Sequence, residues 1–266
     1  MSTVESPFRF IEIARRARIL TLTLNRPEAL NGINSELHEE LSRAFRFAEA
    51  DAGSDIIVLT GAGRAFSAGG DIPWMQQAID DPARFRTVVR EAKEIVFSLL
   101  DCEKPIIAKV NGAAAGLGAT LALFSDVIFM ADTAVILDPH VRIGLVAGDG
   151  GAVIWPQLIG FARAKHYLMT GDPVSADAAL QMGLVNFVVG RSELDAAVDA
   201  YADRLAKGAI LAIRWTKTSV NIALKQLAHT IMDTGLAYES LSNATEDHQI
   251  AVRSFTEKRS PKFLGR

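Results

Sequence analysis

Lys104 to Leu123 reads KPIIAKVNGAAAGLGATLAL, an apolar, β-branched run that ends in a turn made of glycine and alanine. A strand of this composition suits a sheet covered on both faces. DIIVLTG (55–61) is a second run of the kind, and RAFSAGGDI (64–72) follows it. Two small, nearly uncharged glycine turns therefore come after two buried strands, about fifty residues apart. Such turns can simply let chain segments pack closely. They can cradle a dinucleotide, but NGAAAGLGAT lacks the G-x-G-x-x-G pattern. AFSAG is one residue from a serine elbow, with Asp126 or Asp138 and then His140 behind it, yet Ser67 lies seven residues past the end of IIVLT. In a fourth reading, each turn presents one backbone N–H to a shared pocket, forming an oxyanion hole.

Around these turns the pattern is mixed α/β. Phe8–Ile13 and Arg18–Leu24 read as a hairpin about ARRA, and Asn34 or Ser35 can cap a helix with Leu37, Leu41, Ala44, Phe45 and Ala48 on one face. DVIFMA (126–131) and AVILD (134–138) are further strands; residues 74–100 are helical, with Pro82 breaking that helix near its start. Beyond Gly151 the pattern is mostly helical, interrupted by the strand LVNFVV. The expected organisation is a core over residues 1–200 and a helical region over 201–266, without repeats or a Pro/Ser-rich linker.

With 266 residues and 49% hydrophobic content the chain can bury a sizeable core. A formal charge of -3 provides no basic stripe for nucleic acid, so no nucleic-acid partner is expected. The start MSTVESPFRF lacks the pattern of a signal peptide, Cys102 is the single cysteine, and the low-charge run Val110–Phe124 is shorter than a bilayer span. A cytoplasmic protein without a membrane partner is expected. No metal is expected either, because His38, His140, His166, His229 and His248 form no ligand-spaced cluster with Cys102.

LNRPEALNGIN (24–34), AFSAGGDI (65–72), KPIIAKVNGAAAGLGATLAL (104–123), SDVIFMAD (125–132), GLVAGDGG (144–151) and YLMTGDPVSADAALQMGLVN (167–186) carry a resemblance to the enoyl-CoA hydratase/isomerase, or crotonase, superfamily. It spans nearly the whole chain. The resemblance implies an α/β fold, a spiral of ββα units with a C-terminal helical region that packs as a homotrimer or a dimer of trimers. It also implies an acyl-CoA or related carbonyl substrate, with coenzyme A as part of the substrate and no resident cofactor. The implied oxyanion donors are the amides of Gly70 and Leu117. Leu30, Ala68, Gly70, Asp71, Ile72 and Thr120 fall on the implied substrate and CoA loops, Asp71 in a more structural role, and Arg26 and Lys258 are candidates for CoA phosphates. Leu117 stands where many relatives have glycine; its N–H survives the change, while its side chain reshapes the acyl pocket.

Hydratases of the family use two glutamates, and this chain has Thr120 and His140 at those positions. A threonine hydroxyl cannot replace a carboxylate base near neutral pH. His140 can give or take a proton there, and Asp149, nine residues on, is its candidate partner. A carboxylate at that place can also be a plain helix cap, and a histidine there can simply bond its own loop. The His140/Asp149 spacing with G-D-G and W-P resembles the branch containing 6-oxocamphor hydrolase, although GLGAT has no histidine. Three functions follow: an acyl-CoA enzyme working through a thioester enolate, a carbon–carbon bond hydrolase acting on a diketone, and a non-catalytic acyl-CoA binder.

Overall fold

In the computed structural model, which describes residues 2, 3 and 5–266, the strands form two sheets; Met1 and Val4 of the N-terminal stretch lie outside the described residues. The larger sheet has the order β1 (Ser2–Thr3), β2 (Ile11–Arg16), β3 (Ile19–Leu24), β4 (Ile56–Gly61), β5 (Ile106–Val110), β7 (Val127–Ala131) and β10 (Phe187–Val189). β2 pairs antiparallel with β1 and β3, and every later pair is parallel. The smaller sheet joins β6 (Ala114–Ala115), β8 (Val135–Leu137) and β9 (Val174–Ser175).

The first strand of the hairpin, β2, starts at Ile11 rather than Phe8, because the amides of Arg9 and Phe10 donate to the Glu40 carboxylate at 2.6 and 3.0 Å instead of to a neighbouring strand. β4 is buried at all six positions, which explains its apolar run Ile56–Leu59. Helix α1 (Ser35–Ala50) is capped by Asn34, whose Oδ1 accepts from Leu37 N at 2.9 Å. Losing such a cap costs about 1 kcal/mol. Its inward face, including Leu37, Leu41 and Phe45, packs on α3 (Pro82–Asp101). The helical run after Asp71 breaks at Asp81 into α2 (Ile72–Asp80) and α3, which starts at Pro82. A proline has no N–H to give inside a helix and fits the first turn of a new one.

α4 (Leu117–Leu123) follows β6, and α5 (Gly151–Thr170) bends at Gly160, where φ is 76°. After α6 (Ala176–Gln181) and α7 (Leu194–Ala206), the tail forms α8 (Ile210–Asn243) and α9 (Glu246–Thr256), separated at the Thr245 cap. α8 packs on α3 and α5, and α9 on α2. The tail therefore returns to the core next to the glycine turns. Among the described residues no helix is long and apolar enough to cross a membrane.

The two turns leave the carboxyl ends of β4 and β5 and lie backbone against backbone. Ser67 N donates to Ala113 O at 3.0 Å, and Ala115 N donates to Ser67 O at 2.9 Å. Gly118 faces Ser67 so closely that an added Cβ would sit 2.7 Å from the serine Cβ. Small residues are needed here because two main chains touch. Asn111 completes the join, its Nδ2 donating to Gly61 O at 2.9 Å and Gly63 O at 3.1 Å.

Candidate active site

Gly69 lies against Ala115 and Gly116, so the next residue on each turn, Gly70 and Leu117, is brought to one place. Both line a single cavity together with His140, Asp149, Trp74 and Glu239. Among the described residues neither the Gly70 nor the Leu117 amide donates a hydrogen bond. Leu117 opens α4, where an amide has no intrahelical acceptor. A buried donor left unpaired is costly, and two facing one cavity make a place for an oxygen that carries negative charge.

The candidate acid–base residues stand beside that place. Asp138 and His140 flank Pro139 at the start of a 3-10 turn (His140–Ile143). Asp138 Oδ1 lies 2.6 Å from His140 Nδ1 and accepts from the His140 amide at 3.3 Å. On the other side of the ring, Nε2 is 3.6 Å from Asp149 Oδ2. Thr120 Oγ1 donates to Asp149 Oδ1 at 3.4 Å, so the residue at the first glutamate position supports the aspartate. The N-cap of α5 is Gly150, which provides no side chain for the role, and the Gly151 amide favours the charged form of Asp149.

The glycines of VAGDGG make room for this group. Gly151 lies on Asp138, where an added Cβ would be 2.3 Å from Oδ2. Gly148 lies on Gly235 of α8, where the corresponding contact with the carbonyl oxygen would be 2.4 Å. That contact brings Glu239, one turn further along α8, to the cavity. Glu239 is buried and its Oε2 has no hydrogen-bond partner.

Burial disfavours a charged imidazole, but the charges of Asp138 and Asp149 and the bond to Asp138 outweigh it, so the His140 pKa is held well above its usual value. Burial raises the Asp149 pKa, partly offset by His140 and reinforced by Asp138. Glu239 is pushed up to about 8 by burial and then by the neighbouring Asp149 charge. The raised pKa values of His140 and Glu239 favour their protonated forms near neutral pH, beside an Asp149 whose pKa is raised as well, a set that suits general acid–base chemistry. His248 on α9 also lines the cavity; its Nδ1 lies 2.6 Å from Ile143 O, its Nε2 is unpaired, and burial lowers its pKa.

Asp138, His140 and Asp149 present ligand atoms within 4.8 Å of one another. The histidine–cysteine spacing examined in the sequence overlooks this group because two of its members are aspartates. The carboxylates address opposite ring nitrogens, Asp138 at Nδ1 and Asp149 at Nε2, an arrangement that holds protons.

The structure brings Gly70, Leu117, His140 and Asp149 together, with Thr120 behind them. Arg26, Leu30, Ala68 and Asp71 lie on the adjoining loops, and Ile72 opens α2. Arg26 is directed inward: its Nη1 is 3.0 Å from Asp71 Oδ2 and also donates to Gly32 O. Asp71 caps α2 through Trp74 N at 3.0 Å, and the Leu30 carbonyl accepts from Ala68 N at 3.0 Å. Lys258 is exposed beyond the end of α9 and does not line the cavity. Sequence reading set Asp138 beside His140 only within the serine-elbow alternative and not in the His140/Asp149 group, and it missed Glu239 and His248. D-P-H was a usable signal for the first; the glutamate sits in a long helix with no local mark.

The profile of the enoyl-CoA hydratase/isomerase family matches residues 14–266. The 1,2-epoxyphenylacetyl-CoA isomerase of Escherichia coli is 34% identical over 250 residues, covering 93% of this chain and 95% of that protein. A crystal structure of an enoyl-CoA hydratase/isomerase from Mycobacterium paratuberculosis superposes with a TM-score of 0.90 at 36% identity, covering 94% of this chain and 100% of that one. A β-diketone hydrolase from the cyanobacterium Anabaena, bound to (S)-3-oxocyclohexyl acetic acid, superposes with a TM-score of 0.83 at 29% identity, covering 89% of this chain and 95% of that one.

Proposed function

The chain belongs to the enoyl-CoA hydratase/isomerase family, and from that premise we propose that it transforms an acyl-CoA through a thioester enolate. The observation that carries this reading is the pair of unpaired amides, Gly70 and Leu117, on one cavity with His140 and Asp149. The thioester oxygen takes both N–H groups. As negative charge develops on it the two bonds strengthen, and each is worth about 2.7–4 kcal/mol in the transition state. Asp149 takes the proton from the carbon next to the carbonyl. His140, fixed by Asp138, supplies positive charge on the same side and exchanges a proton with Asp149. Double-bond isomerisation and water addition both pass through this enolate. With Thr120 in place of a glutamate, proton movement between carbons is the simpler use of the group.

Purified protein given short and medium 2-enoyl- and 3-enoyl-CoA in heavy water tests the proposal. The expected result is a change in enoyl absorbance and deuterium at the exchanged carbon; neither signal with any chain length removes the reading.

A second reading is hydrolytic cleavage of a β-diketone, favoured by His140, Asp149 and Glu239 lining one cavity with Asp138 bonded behind His140, and by the likeness to the Anabaena hydrolase. Water activated by Asp149 and His140 attacks one carbonyl, the bond to the central carbon breaks, and the departing enolate is held by the amides and then protonated. It predicts acids from diketones in the absence of CoA. Pocket retention without turnover, seen as tight acyl-CoA binding by calorimetry and no product, would instead favour a binder.

The exposed apolar residues of α8, among them Leu211, Trp215, Val220 and Ile222, support the proposal of a homotrimer or a dimer of trimers. Light scattering of the purified protein decides between these and a monomer.

A further inference from the structure

A second histidine–carboxylate pair stands on another wall of the same cavity. His38 of α1 lines it and is almost fully buried, and its Nδ1 lies 2.7 Å from Glu91 Oε2 of α3, itself buried. The imidazole also packs on the Trp74 ring, with centroids 5.0 Å apart. Among the described residues its Nε2 makes no hydrogen bond. The ring is therefore fixed at one nitrogen and free at the other, as His140 is fixed by Asp138.

The pair has a second setting. Glu91 lines an outer cavity of about 170 Å³ with Ser35, Gln77, Arg84 and Thr87, and the inner and outer cavities share Trp74, Ala78 and Val88 as a wall. His38 faces the inner side of that wall and Glu91 the outer. His38 is also near enough to Asp149 for a charge on the ring to stabilise the aspartate.

We propose that His38 is a second acid–base residue of the cavity and that Glu91 is the residue that positions it. The assignment rests on the enolate reading, in which one proton leaves carbon and another must arrive. Asp149 receives the first. With Nδ1–H held by Glu91, the ring in its doubly protonated form gives the Nε2 proton to the enolate carbon. The enolate electron pair forms the new C–H bond, the C=O double bond is restored, and the N–H bond pair stays on His38 as its positive charge disappears. Water then returns a proton to His38 and removes one from Asp149, so no further reactant is needed.

The test uses the full chain with the substrate that the wild type turns over. His38→Gln, which can still bond Glu91, and His38→Ala are each expected to lower kcat by about 10²-fold or more with KM changed by less than about threefold. Imidazole added to His38→Ala is expected to restore kcat at least about tenfold, in proportion to its concentration, whereas Glu91→Gln lowers kcat by about tenfold. Retention of kcat within about threefold in both His38 variants overturns the proposal. So does a loss that imidazole does not restore, or loss of substrate-analogue binding together with activity, since the pair would then only tie α1 to α3. A wild type inactive on both enoyl-CoA and diketone substrates removes the enolate reading first and this assignment with it.

Discussion

His140 Nδ1 and Asp138 Oδ1 lie 2.6 Å apart, which turns Nε2 of the same ring toward Asp149. A buried carboxylate at Nδ1 selects the tautomer and orientation of the ring and favours its positive charge. Asp138→Asn retains the shape but can present an N–H to the ring. We expect kcat to fall by about 10²-fold or more and KM to change little, as read from steady-state kinetics. The histidine signals in an NMR spectrum should show less of the doubly protonated ring at neutral pH, because the charge that raises the His140 pKa is gone.

Asp149 and Thr120 separate two explanations of the glycine-rich segment. If the carboxylate is the base, Asp149→Asn abolishes most turnover and leaves the unfolding midpoint nearly unchanged. Thr120→Val, which removes a 3.4 Å hydrogen bond, should lower kcat by no more than about tenfold. A helix cap would produce the opposite pattern for Asp149→Asn, with a lower midpoint and preserved turnover.

Glu239 provides a test by pH. Its carboxyl is raised from 4.5 to about 8, so the folded protein holds a proton that the unfolded chain has already released. The stabilisation this confers is complete below the unfolded value and is lost as pH rises through the folded one. Urea unfolding should therefore show stability falling between pH about 5 and about 8. Glu239→Gln should flatten that fall and be relatively more stable at the alkaline end. An unchanged slope would place the proton elsewhere.

Arg26 distinguishes a brace from a phosphate contact. Its ion pair with Asp71 is largely covered, and Asp71 also caps the helix carrying Trp74 and Met75 of the cavity. Asp71→Ala should cost about 1 kcal/mol or more in stability, measured by denaturant. Arg26→Gln should lower stability in the same way while the KM for acyl-CoA keeps its dependence on salt. If that dependence disappears, Arg26 meets CoA phosphates after all.

Much of the framework could be read from residue patterns. The apolar runs of β4 and β5, the Asn34 cap and the break before Pro82 depend on local chemistry, so each leaves a local trace. The glycine turns were also legible, because main chains in contact exclude side chains. Phe8–Phe10 is not strand because the Arg9 and Phe10 amides are satisfied by Glu40, 30 or more residues away, and the Phe8 amide by Ser6 Oγ; no pattern in the segment announces the distant partner. His140 and Asp149 share one motif and were found together. His38, Glu91 and Glu239 acquire meaning only when α1, α3 and α8 meet around the cavity.

The contact of Gly148 with Gly235 joins a loop of the sheet-bearing part to the long tail helix, main chain to main chain. The proton-carrying group straddles this seam, with His140 and Asp149 on one side and Glu239 on the other. Local openings of a protein need less free energy than its global unfolding, and a tail helix is a natural place for one. Catalysis would then behave as a fuse: mild denaturant should part the seam and silence the enzyme while the sheet, and most of its circular dichroism, is still intact.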